Sequence, residues 1–470
     1  MKKLLLVSLL AALASGASRL AELPPSAQAA IDRISPGSMK EKLTYLASDA
    51  LEGRGTPSRG LDLAADYIAA QFQKAGLEPV GVNGSYFQDA PFAQITPREE
   101  GFALSVRSGS RTVSVPAESV NLESDKALDW KDLPVLRLPA NGAIPPVEGR
   151  IVAGDEQRYG DEALLADLAS RKPALILLFG RSRFIHPSEP YLEDSSLPHP
   201  PVLRIRDSDA AAIFRNAVSP TITLHVDGPD RREFTLRNVA ALLPGSDPVL
   251  RNQYVVVSAH YDHLGKTSKG IFPGANDDGS GTVSVMEIAG ALAGLNPRPR
   301  RSILFLTFFG EEEGLFGSYY YAAHPLEPLR DTVADLNLEE LGRPDDLIGP
   351  NPGGIILSGP TFSDLNGSLA EAARWEGVAM HKRSDADEFF DRSDNYAFAL
   401  HGVVAHTIAV AFEFPDYHKM SDTADKIDYE NMAKVDRAIA AGVVAIADRT
   451  EAPAWSDSKA AAIYRHAAGK

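Results

Sequence analysis

The chain has 470 residues, a formal net charge of −16 and no cysteine. That length implies two or three domains, and the acidic balance argues against non-specific nucleic-acid binding, which needs a basic face. Without thiols the chain forms no disulfides and performs no thiol catalysis, so any metal site must rely mainly on nitrogen and oxygen ligands.

Met1-Lys2-Lys3 is followed by an apolar run over residues 4–14 and by Ser15-Gly16-Ala17. This pattern predicts a cleavable export signal at 1–17, too short to span a bilayer. The mature protein is therefore expected to be exported, periplasmic or extracellular, with no stable membrane span. Helical spacing predicts helices over 39–47 and 61–75, the second carrying Leu63, Ala64, Tyr67, Ile68 and Phe72 on its periodic positions. Leu51-Glu52-Gly53-Arg54-Gly55 between them reads as a turn-rich connection with no chemistry of its own.

Over 114–228 short apolar runs alternate with Pro- and Gly-containing turns, which predicts a small separate domain. From 229 to 450 the pattern is strand, helix, strand. Buried strands are expected over 253–258, 301–309 and 402–410, and helices over 282–292 and 433–448. The expected fold is α/β, a mostly parallel sheet with helices on both faces. Residues 18–113 form its N-terminal part, and 451–470 read as a polar tail.

In such sheets ligands collect at the carboxyl ends of strands. The first strand of this region leads into Ala259-His260-Tyr261-Asp262-His263, and the second into Gly310-Glu311-Glu312-Glu313-Gly314. Between them lies Gly274-Ala275-Asn276-Asp277-Asp278-Gly279-Ser280-Gly281; Asn337-Leu338-Glu339-Glu340 and Asp416-Tyr417-His418 come later. Three glutamates against a buried strand crowd like charges, a cost that a bound cation offsets. His-x-Asp followed by Asp-Asp, Glu-Glu and a late His is a specific metal pattern. His263 follows His260 closely but lies off His-x-Asp, whereas His324, His381, His401 and His406 lack clustered acids and read as structural. No His-Glu-x-x-His and no Gly-x-Ser-x-Gly occurs.

At these motifs, over about 236–448, the sequence resembles the co-catalytic di-zinc aminopeptidases, a metallopeptidase family that also includes folate-hydrolase-like carboxypeptidases and glutaminyl cyclases. The SDALEGRG and AADYIAAQF segments look like its bacterial members, and 114–228 looks like their protease-associated insert. The resemblance implies two Zn2+ ions per chain and a peptide substrate with a free N-terminus. It implies His260 as ligand of one zinc, Asp277 as bridge, and Glu312 and His418 as ligands of the other. Glu311 matches the general base, Asp262 the acid behind His260, and Tyr417 a contact to the substrate carbonyl. Arg392-Ser393-Asp394-Asn395 resembles a loop near the substrate's amino end. The last ligand, often aspartate in the family, falls on Glu339, with Glu340 beside it as the competing candidate. A carboxypeptidase, a glutaminyl cyclase and a non-catalytic binding protein on the same fold are the other readings.

Overall fold

In the computed structural model, residues 23–96, 98, 101–180, 191–195, 200–217, 219–349 and 353–469 are described. The expected export signal lies outside them. The chain divides into two compact units, one of Met1–Gln88 with Arg237–Lys470 and one of Asp89–Leu236. The insert expected at 114–228 falls within the second.

The first unit is built on strands β1 (Asp230–Leu243, of which 237–243 lie in this unit), β2 (Tyr254–His260), β3 (Ser302–Phe308), β4 (Thr332–Glu339), β5 (Gly354–Leu357), β6 (Ala379–Met380) and β7 (Val404–Ala409). Their order is β6-β5-β7-β4-β2-β3-β1. β3, β2, β4 and β7 run parallel. β1 is antiparallel to β3, and β5 is antiparallel to β7. The sheet is thus mixed, which corrects the expectation of a mostly parallel one. Apolar runs report burial of a strand, not its direction, and β1 and β5 are as apolar near their pairing partners as a parallel strand would be.

β3 and β7 bury every residue, and β2 all but its first, so the parallel centre is covered on both faces. Helix α1 (Pro36–Leu46) starts on Pro36 with Ser35 accepting from the Ser38 N–H. Helix α2 (Arg59–Ala75) is capped by Ser58, which accepts from the Leu61 N–H, and stops at Gly76 in the left-handed region, φ 79°. Helix α3 (Gly281–Leu292) is apolar on all sides and buried almost throughout, as expected of a helix packed between the sheet and further helices. Helix α4 (Tyr429–Asp448) is capped by Asp428 and packs on β2 and α3. Among the described residues no helix is long and apolar enough to cross a membrane.

The stretch read as a polar tail is ordered into the first unit. Trp455 is buried, bridges Ser363 and donates its indole N–H to the Gly402 carbonyl at 2.9 Å, and a short helix follows at Ala462–Ala468.

The unit Asp89–Leu236 has its own eight-stranded mixed sheet. Alternation along its strand Leu175–Phe179 divides two cores: Leu175, Leu177 and Phe179 join one, while Ile176 and Leu178 join the other.

Candidate metal centre

Four adjacent parallel strands deliver the site to one edge of the sheet. His260 ends β2, Glu311 and Glu312 follow β3, Glu339 ends β4, and His418 lies in the loop after β7. Asp277 arrives from the loop that leads into α3. That loop needs its glycine: Gly274 has φ +57°, and a Cβ there would meet the Asp277 carbonyl at 2.4 Å and the His263 ring at 2.4 Å.

Asp277 occupies the middle. Its Oδ1 lies 3.5 Å from His260 Nε2, and its Oδ2 lies 3.2 Å from His418 Nε2. On the first side, His260 Nε2 is 3.8 Å from Glu339 Oε1 and 3.8 Å from Glu311 Oε2. On the second, His418 Nε2 is 3.2 Å from Glu312 Oε2. The predicted residues His260, Asp277, Glu311, Glu312, Glu339 and His418 are therefore brought together. Tyr417 lines the same pocket and stacks on His418, with ring centroids 4.0 Å apart.

His263, which the sequence places close to His260 but off the His-x-Asp pattern, also belongs here. Its Nδ1 approaches Glu312 Oε1 to 2.7 Å and Asp277 Oδ2 to 3.7 Å, and its side chain is fully buried. Two donor sets result, His260 with Glu311 and Glu339, and His263 with Asp277 and Glu312. The signal that points to His263 is its distance of three residues from His260, which returns the chain to the same edge beyond Asp262.

The surroundings hold these donors in place. Asp262 Oδ1 stands 3.4 Å from His260 Nδ1 and accepts the Glu311 N–H at 3.1 Å, as a carboxylate orienting an imidazole does. Asp422 accepts the backbone N–H groups of Asn276 and Asp277, the latter at 3.2 Å. Glu339 receives the Ser393 hydroxyl. Glu340, at φ 51°, gives its N–H to Asp278 at 3.2 Å and lines the same pocket. Arg54, from the loop without assigned chemistry, is completely buried and donates to the carbonyls of Leu46 (2.6 Å), Pro273 (2.7 Å), Gly274 (2.8 Å) and Tyr261 (2.8 Å).

The donor chemistry suits a cation. Asp277 Oδ2, Glu312 Oε1 and both ring nitrogens of His263 are buried, and the contacts that Asp277 Oδ2, Glu312 Oε1 and His263 Nδ1 make are to one another and to His418. Burial pushes the Glu311 carboxyl well above the usual carboxylate range; Glu339, Asp394 and Glu312 add to this and His260 opposes it. Burial alone acts to raise Asp277 as well, but His263, His260 and His418 hold it well below its ordinary value. Burial acts to lower His418, and its bonds to Asp277 and Glu312 override that and lift it to about 10. Groups that neutralise one another in this way are suited to exchange their mutual proton for a metal, since imidazole and carboxylate nitrogen and oxygen atoms are ordinary zinc ligands.

Residues 238–443 match the family described as Peptidase family M28. The chain carries an M28 peptidase domain. That span contains every donor named above. "Probable lipoprotein aminopeptidase LpqL" of Mycobacterium tuberculosis is 25% identical over 454 residues, covering 86% of this chain and 84% of that one. "Probable leucine aminopeptidase 2" of Aspergillus oryzae is 28% identical over 269 residues, 55% of this chain and 50% of the relative. The chain thus spans about half the length of the leucine aminopeptidases it matches. The aminopeptidase from Aneurinibacillus sp. strain AM-1 shares the fold, with a TM-score of 0.51 at 20% identity, over 92% of this chain and 97% of that one.

Proposed function

We propose that this protein is an exported zinc aminopeptidase that removes the first residue from peptides with a free amino terminus. The observation that carries this reading is Asp277, a single carboxylate whose two oxygens face separate sets of imidazole and carboxylate donors. On this reading His260, Asp277 and Glu339 would hold one zinc, and Asp277, Glu312 and His418 would hold the other. His263 stands beside Glu312 and fixes its carboxylate.

Zinc bound there supplies Lewis acidity and shifts the pKa of water from about 15.7 toward about 7. The chain's own residues do the rest. Glu311, which lines the pocket beside His260, accepts the proton of the attacking water and passes it to the leaving amine. Asp262 holds both His260 and the Glu311 backbone, so the base and the ligand keep one geometry. Tyr417, half in the pocket and stacked on His418, is placed to donate to the carbonyl oxygen.

Glu311→Gln is expected to retain zinc and to lose about 10²–10⁴ in kcat on a leucyl substrate, the usual contribution of a positioned acid/base group. The measurement pairs elemental analysis with steady-state kinetics. Wild-type turnover in a zinc-loaded Glu311→Gln protein would refute the assignment of the base. Unchanged turnover after chelation would refute the metallopeptidase reading as a whole.

A further inference from the structure

We propose that Arg392 binds a carboxylate of the substrate, so that the site prefers peptides carrying a negative charge near the scissile bond. This rests on the aminopeptidase reading above and names the class of peptide it takes.

The pocket beside the metal donors is acidic: Asp277, Glu311, Glu339 and Glu340 form its inner wall. Arg392 lines the same pocket and is exposed. No carboxylate of the described residues forms an ion pair with it. Asp385 senses its charge but is already engaged by Arg383, with Nε to Oδ1 at 2.8 Å and Nη2 to Oδ2 at 3.3 Å. Glu413 shares the pocket and is not paired with Arg392 either.

The guanidinium is nevertheless held. Its Cζ lies 4.5 Å from the centroid of Phe389, which stacks on Phe412 at 4.6 Å with an 8° interplanar angle. Arg383 rests on the same ring at 4.9 Å and is pinned by Asp345, Asp346 and Asp385. The Phe389–Phe412 pair is therefore a rigid platform. An arginine lying on an aromatic face keeps its N–H edge free for a planar, bidentate acceptor. A carboxylate is such an acceptor, and preorganisation lowers the entropy lost on pairing. Since the inner wall takes the amino end and the scissile carbonyl, the matching carboxylate is either the side chain of an acidic first residue or the C-terminus of a dipeptide.

Three ligands separate these sources: Leu-Ala-amide, Glu-Ala-amide and Leu-Ala. Each is titrated calorimetrically into the zinc-loaded full chain carrying Glu311→Gln, and into the same protein with Arg392→Gln added. At least one acidic ligand is expected to bind about tenfold more tightly than Leu-Ala-amide, and that advantage is expected to vanish with Arg392→Gln. An advantage for Glu-Ala-amide identifies the side chain, and one for Leu-Ala identifies the terminus. Equal affinity for all three ligands, or an advantage that survives Arg392→Gln, overturns the proposal. Failure of the aminopeptidase reading shows separately, as absence of hydrolysis of Leu-Ala and Leu-Ala-amide by the zinc-loaded unsubstituted chain.

Discussion

Arg54 shows how one side chain serves several loops at once. Its guanidinium gathers carbonyls from the end of α1, from the residue after His260 and from the Gly274 turn that precedes Asp277. Burial acts to lower its pKa, and Asp262, Asp422, Asp277 and Asp278 oppose that by favouring the charged form. Removing the charge strips four carbonyls of their guanidinium donor, Gly274 alone keeping the Gly279 N–H, and leaves the carboxylates without a counter-charge. Arg54→Met is expected to cost about 3–5 kcal/mol, read from urea denaturation. Arg54→Lys keeps the charge but cannot reach four carbonyls, so its loss should fall between zero and that value. A midpoint unchanged in Arg54→Met would show that the loops are set by other contacts. Of the two residues least visible in sequence, Asp422 acts through backbone partners more than 140 residues away, and Arg54 through Leu46 nearby and three partners more than 200 residues away. No local pattern encodes such a pairing. His260, Asp277, Glu311, Glu312, Glu339 and His418 were legible because each follows an apolar strand or opens a helix, where a polar cluster has no structural reason to be. His263 was missed because a strict His-x-Asp template has no place for it.

At the scale of elements, burial was readable and direction was not. The valine-rich run of β2 and the SILFLTF run of β3 announce strands covered on both faces. Nothing in β1 announces that it pairs antiparallel to β3, because strand order is decided by where the chain returns. The tail was misjudged for a related reason: its polar average hides Trp455 and Tyr464, two aromatic rings that pack it against Phe390. His406 ties β7 to the segment after β5, with Nδ1 at 2.7 Å from the Ser358 carbonyl and Nε2 at 2.7 Å from the Ser363 hydroxyl. Burial lowers its pKa to about 4, although Ser358 and Asp364 act to raise it. The unfolded chain takes up this proton near pH 6.5, and the folded one refuses it until about pH 4. The stability that follows is complete above pH 6.5 and is lost as pH falls through that window, by about 3 kcal/mol. In His406→Gln the difference in unfolding free energy between pH 7 and pH 4 should shrink by that amount. An unaltered pH dependence would show that the imidazole titrates freely in the folded chain.

For the whole molecule the decisive imbalance is electrostatic. A chain of net charge −16 gathers Asp277, Glu311, Glu312 and Glu339 around three histidines, His260, His263 and His418, and pushes Glu311 and Glu340 far above the carboxylate range. Without cations, folding must either protonate these groups or bear their repulsion. Zinc that binds the folded chain and not the unfolded one stabilises by mass action, about 4 kcal/mol at a thousandfold excess over Kd. Chelation is therefore expected to lower the melting temperature of the unit that carries the site by about 5 °C. The unit Asp89–Leu236 has its own two hydrophobic cores and none of these donors, so its unfolding should not respond to chelator. Calorimetry with and without chelator reads both units, and the shift should reverse when zinc is restored. Glu311→Gln should keep the shift, because the base is not needed to hold metal, whereas Asp277→Ala should lose it. A shift that survives Asp277→Ala would mean that the stabilising cation sits elsewhere, and that the carboxylate between the two donor sets bridges nothing.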